Sequence, residues 1–139
     1  MKVFVYYIGK RRDANANAIA ADYVQRVSHY AACEMREIQP AKFDPWSRHP
    51  SASVILLDVA GKTLDSVRFS QLIRKAEDEA RDVVFVIGGH DGLPEVWKSR
   101  PATLLSLSAL TFPHELARAM LAEQIYRAFT ILRGHPYPR

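Results

Sequence analysis

The chain is expected to fold as an α/β protein, a mostly parallel sheet flanked by helices. Three observations predict it. Short β-branched and aromatic runs alternate with longer stretches whose apolar residues recur every three or four positions. The run Val83–Ile87 is apolar at every position, as in a strand covered on both faces. Glycines follow directly on two strand-like runs, at Gly9 and at Gly88-Gly89, where a strand must turn into its crossover.

The elements follow in order. Val3–Ile8 is a strand that ends at Gly9. From about Asp13 to Ala31, the residues Ala16, Ile19, Tyr23, Val27 and Tyr30 fall on one helical face. Glu34–Gln39 is a second strand, closed by Pro40. Pro40–Pro50 holds three prolines and reads as a loop, with no linker that would divide the chain. Val54–Val59 is a third strand, followed by a helix from about Ser66 to Arg81 with Phe69, Leu72, Ile73, Ala76 and Ala80 on its buried face. After Val83–Ile87 and the glycine loop comes a short helical turn near Pro94–Lys98, then a strand around Thr103–Leu107. The last helix begins near Pro113, since proline suits a first turn. Its stripe is Ala117, Leu121, Ile125, Ala128 and Leu132, and Gly134 with Pro136 stops it.

Composition narrows the class. Of 139 residues, 48% are apolar and 24% charged, the balance of a globular chain of one-domain length, so a single domain over residues 1–139 is expected. No apolar run approaches a membrane span, and the amino terminus lacks an export signal. One cysteine, Cys33, cannot close an internal disulfide and reads as a small buried hydrophobe. A cytoplasmic globule is the expectation. Nineteen Lys and Arg against fifteen Asp and Glu leave a net +4, with a cluster at Lys10-Arg11-Arg12 and a basic end containing Arg127, Arg133, His135 and Arg139. Solvated surface accounts for such clusters as readily as a partner does. Interleaving with Tyr126, Phe129 and Tyr137 tilts the balance toward a polyanion such as RNA.

Ligands of parallel sheets sit beyond the carboxyl ends of the strands. Three loops share that edge: Asp58–Lys62, Gly88–Gly92 and Leu107–Phe112. The glycine loop has neither the dinucleotide spacing nor the Lys-Ser/Thr of a phosphate loop, which favours an uncharged or cationic ligand. The five histidines are scattered without metal-ligand spacing, and no serine sits in a nucleophile elbow. His90 and Asp91 read as turn residues. The residues alone thus outline a pocket and leave its reaction open.

Four segments are distinctive: Leu57-Asp58-Val59-Ala60-Gly61-Lys62, Val86-Ile87-Gly88-Gly89, Leu104 to Leu116, and Glu123-Gln124-Ile125-Tyr126-Arg127-Ala128 with the ending His135-Pro136-Tyr137. In these the chain resembles the large-subunit ribosomal RNA pseudouridine N3-methyltransferase family, part of the SPOUT class of knotted methyltransferases. The resemblance runs from about Val54 to Arg139 and is one of pattern only over residues 1–39. It implies a deep trefoil knot in the carboxyl half, a homodimer, and S-adenosylmethionine as methyl donor, with no metal. Leu57, Gly88 and the run Leu107, Ser108, Ala109, Leu110, Thr111 and Phe112 would line the donor pocket. Tyr137, Arg139 and His135 are the catalytic candidates, in a tail expected to reach an active site, that of the partner subunit included. The implied acceptor is the ring nitrogen between the two carbonyls of a pseudouridine, in large-subunit RNA within the ribosome. Arg139 would favour its anion, and Tyr137 would meet a splayed base. The chain departs from the family where Pro138 replaces a histidine, where His90 replaces a proline, and where Pro40–Ser53 is short. The altered tail leaves room for a second reading, a dimer that binds donor and RNA without turnover.

Overall fold

The computed structural model describes residues 1–138. Its element order is β1 (Val3–Ile8), α1 (Ala14–Val27), β2 (Cys33–Ile38), α2 (Pro45–Arg48), β3 (Ser53–Thr63), α3 (Ser66–Asp78), β4 (Val83–Ile87), β5 (Thr103–Ser106) and α4 (His114–Arg133). A single 3₁₀ stretch, Glu95–Ser99, links β4 to β5. The five strands pair in the order β2-β1-β4-β3-β5, every pairing parallel. The expected α/β architecture with a parallel sheet is therefore present.

Alternation along the strands builds two apolar layers, because successive side chains point to opposite faces. Val3, Val5 and Tyr7 join Ile55, Phe85 and Ile87 beneath α1, α3 and α4, which supply Val27, Ile73, Leu121, Ile125 and Phe129. On the other face Tyr6, Val54, Leu56, Val84 and Val86 pack with Leu93 and Trp97. All five residues of β4 are buried, as their unbroken apolar character requires. Helix α4 contacts both α1 and α3.

Helix boundaries follow local chemistry. The Asp13 carboxylate accepts from the Ala16 N–H at 3.0 Å and starts α1, and Asp65 does the same for α3 through Arg68. At the end of α4, Gly134 adopts φ +67°, and His135 N–H reaches the Thr130 carbonyl at 2.9 Å. Helix α3 closes by the same device around Ala80 at φ +54°, with Arg81 N–H bonded to the Ala76 carbonyl.

Several expectations are corrected. The Pro40–Pro50 loop contains α2, started by the Asp44 carboxylate on Trp46 N–H with Pro45 in the first turn. Ile19 is exposed; α1 buries Ala16 and Val27 as expected and Ala20 in place of Ile19, because the small alanines let the helix lie close to its neighbour. Ala80 lies past the end of α3 and is exposed. β3 runs on to Thr63 because Lys62 and Thr63 rejoin β5 after a displacement of register at Leu57. Residues Asp58–Gly61 are carried out of the ladder there, and they border the candidate site.

Candidate functional site

The carboxyl ends of β3, β4 and β5 and the first turn of α4 enclose a cavity of about 330 Å³, a size that admits a nucleoside. Each wall has a local cause. β3 delivers Leu57 and Asp58 just where it leaves its register with β5. Gly88 follows β4 directly, and a Cβ there would stand 2.5 Å from the Gly92 carbonyl carbon. Gly89 is pressed against β1: its Cβ position lies 2.6 Å from the Ile8 carbonyl oxygen. Only glycine fits either place. The Gly92 N–H closes the turn on the Gly89 carbonyl at 3.0 Å, leaving His90 and Asp91 as exposed turn residues, as expected.

The third wall follows β5. Ser106 Oγ donates to the Ser108 carbonyl at 2.8 Å, and Ser108 Oγ accepts from Leu110 N–H at 3.0 Å. These two bonds fold the segment into an arch that carries Leu107, Ser108, Leu110, Thr111 and Phe112 onto the cavity. Ala109 belongs to the arch and is exposed, and it does not line the cavity. Leu57 and Gly88 do. Pro113 then opens α4, placing His114 and Ala117 on the floor.

The cavity's charges are few. Among its lining residues there is no lysine or arginine, and Asp58 is the single carboxylate. Asp58 is itself held from outside by Lys98, 3.5 Å away on the 3₁₀ stretch. Such walls suit a ligand that carries positive charge and an apolar ring better than one that carries a phosphate, for which no lysine or arginine is at hand. S-Adenosylmethionine, with its sulfonium and adenosine, meets those terms. Among the described residues no three His, Cys, Asp or Glu side chains gather into a metal-binding group. No helix of the described residues is long and apolar enough to cross a membrane.

The catalytic candidates sit elsewhere on the same chain. Tyr137 packs edge-on against the Tyr126 ring, 4.7 Å between centroids, and donates to Glu123 Oε2 at 2.9 Å. Its single proton is thereby committed, so Tyr23, 3.0 Å away, is the donor to the Tyr137 oxygen. Burial pushes the Tyr137 hydroxyl well above the usual phenol range, and its bonds to Tyr23 and Glu123 push the same way. Arg127 binds Glu123 at 2.7 Å and the Pro138 carbonyl through its other amino group. His135 is exposed, and its backbone N–H bonds the Thr130 carbonyl. Arg139 lies outside the described residues. None of the described tail residues lines the cavity.

Sequence reading missed Tyr23, Glu123 and Arg127 as holders of the tail, and Lys98 as the holder of Asp58. For Glu123 and Arg127 a signal existed: an acid four residues before a base on a helix face, next to an aromatic. For Tyr23 and Lys98 none did, since each meets its partner across the fold.

Known proteins resemble this chain in sequence and in fold. A family model described as "Predicted SPOUT methyltransferase" matches residues 1–138. The chain is 60% identical, over 139 residues and the full length of both, to "Ribosomal RNA large subunit methyltransferase H" of Solibacter usitatus. It is 43% identical to the protein of that name from Sorangium cellulosum, over 99% of each chain. Among solved structures, a probable methylase family protein from Haemophilus influenzae covers 99% of this chain, and 70% of its own, with a TM-score of 0.65 at 9% identity. An AdoMet-bound rRNA methyltransferase from Sinorhizobium meliloti covers 91% of this chain, and 56% of its own, with a TM-score of 0.56 at 13% identity. At such identities the structural likeness is one of fold.

Proposed function

The chain belongs to the SPOUT methyltransferase family, and from that premise we propose that it methylates large-subunit ribosomal RNA with S-adenosylmethionine as donor. The observation that carries this reading is the cavity itself. Leu57, Gly88 and the Leu107–Phe112 arch, drawn together from three separate strand ends, enclose a niche free of cationic side chains. S-Adenosylmethionine supplies a methyl group already activated on sulfur, so the protein's share is orientation, exclusion of water and relief of the acceptor's proton. Leu107, Leu110 and Phe112 exclude water, and the glycine loop brings backbone groups close to the ligand. The names of the full-length relatives support ribosomal RNA as substrate.

The finer reading is that the acceptor is the N3 of a pseudouridine, presented on the assembled ribosome in the cytoplasm. Methyl transfer there requires the N–H proton to leave, and a cation near the base favours the resulting anion. Arg139 is proposed for that task, with Tyr137 meeting the splayed base and His135 as a further candidate beside them. The folded-back tail supports a homodimer in which one subunit's tail completes its partner's site. Exposed Ile19, Leu116 and Met120 on α1 and α4 give such a dimer an apolar face to cover. We take residues 1–139 as a single domain whose carboxyl half is knotted. The close seating of Gly61 on the Leu104–Leu105 backbone, with no room for a methyl group, supports tightly crossed segments there.

Transfer of tritiated methyl from S-adenosylmethionine to ribosomes lacking the modification tests the reading. Incorporation into large-subunit RNA is expected. Removal of Pro136–Arg139 should abolish transfer while calorimetric affinity for S-adenosylhomocysteine changes less than about twofold. Donor binding by the intact protein without any incorporation would instead identify a non-catalytic binding dimer.

A further inference from the structure

The basic cluster Lys10-Arg11-Arg12 has no part in the donor cavity, yet the fold sets it at the cavity's shoulder. It occupies the loop from β1 to α1, on the carboxyl edge of the sheet. Gly9, at φ +102°, turns the chain there, and its Cβ position is 3.8 Å from the Cα of Gly89 in the cavity wall. All three basic side chains are exposed.

The loop is built rather than loose. Glu115 Oε2 accepts from the N–H groups of Arg12 and Asp13, both at 2.9 Å, and from Asn17 Nδ2 at 2.6 Å. Arg118, fully buried, donates through Nη2 to the Ile8 carbonyl at 3.1 Å and lies 4.0 Å over the Tyr7 ring. Its Nε and Nη1 meet no acceptor among the described residues. Two acids of the loop and its floor bond backbone: Asp13 caps α1 and Glu115 holds the loop. Among the described residues, no ion pair involves Lys10, Arg11 or Arg12. Three exposed cations thus stand outside any ion pair on a loop anchored at Arg12, while Glu115 offsets the buried Arg118 beneath them. Such a strip fits a polyanion with regularly spaced charges.

We propose that Lys10, Arg11 and Arg12 form a docking strip for the phosphate backbone of the RNA whose nucleotide enters the adjacent site. The inference rests on the reading of the protein as an RNA methyltransferase. It adds the surface that holds the strand beside the cavity and gives no base specificity, because phosphate contacts set register without reading sequence.

Binding to modification-free large ribosomal subunits, titrated with salt, tests it independently of turnover. The triple variant Lys10→Ala/Arg11→Ala/Arg12→Ala keeps every backbone N–H that Glu115 uses, so its thermal midpoint should match the parent. Its affinity should fall about tenfold or more, and the slope of log affinity against log salt should shrink by about 2 to 3, near one per phosphate contact. S-Adenosylhomocysteine affinity should stay unchanged, and the charge-keeping variant Arg11→Lys/Arg12→Lys should restore most RNA binding. Equal affinity and slope in parent and triple variant would overturn the strip. If the parent shows the strip's salt dependence yet transfers no methyl, the strip stands and the methyltransferase reading falls.

Discussion

Glu115 shows how much one side chain can organise. It collects two backbone N–H groups and an amide, and those bonds hold its carboxyl at about 2 against an ordinary value of 4.5, with Asp13 N–H the largest cause and Arg12 N–H next. The ionised form is thus favoured in the folded chain. Its contribution to stability is complete above about pH 4.5, declines below that, and is lost as pH falls through about 2. Glu115→Gln should therefore destabilise the protein at neutral pH. The gap in urea midpoint between the two proteins should narrow steadily from about pH 4.5 to pH 2. A gap independent of pH would mean that the carboxylate charge is irrelevant to holding the loop. Cys33 is half-buried at the edge of the core rather than fully buried as expected, and its thiol is pushed up to about 12, chiefly by desolvation.

At the scale of the element, the end of α3 carries a correctable fault. Ala80 holds a left-handed conformation that costs an L side chain about 1–2 kcal/mol, while Gly134 meets the same need in α4 without cost. Ala80→Gly should add about 0.5–1 kcal/mol after the greater freedom of glycine in the unfolded chain is discounted. That raises the thermal midpoint by about 1–4 °C, measurable by calorimetry. Elements of this kind were largely legible in the sequence. β1 and β4 match their expected bounds residue for residue, because each is a short apolar run stopped by glycine. Helix α2 was hidden by Pro40 and Pro50 on its flanks and Pro45 in its first turn, and the rejoining of β3 to β5 after Gly61 depends on a contact over forty residues distant. Within the site, Leu57, Gly88 and five of the six arch residues were legible through the resemblance. Ala109 was not separable from them, because which way an arch residue points is set by the Ser106 and Ser108 bonds rather than by position in the run.

Across the whole molecule, the cavity and the tail are two halves that a single chain keeps apart. If the proposed dimer joins them between subunits, two defective proteins should repair each other. Gly88→Val places side-chain atoms where a Cβ already stands 2.5 Å from the Gly92 backbone, and so forces the glycine loop out of the cavity wall. Removal of Pro136–Arg139 leaves the cavity and takes the tail. Each protein alone should be inactive, whereas co-refolded mixtures should recover up to about a quarter of parental transfer, since a random mixture is half mixed dimers with one sound site each. Mixtures as inactive as their components would place cavity and tail of one subunit in the same site.

The strand order has one more consequence, in time. β4 lies between β1 and β3, so Val3 must wait for Val83, and no hairpin exists to start the sheet. Helix α4, which covers α1 and α3, follows every one of the five strands in chain order. A nascent chain therefore leaves much of its sheet and helix surface uncovered until α4 has emerged, and its folding should be slow.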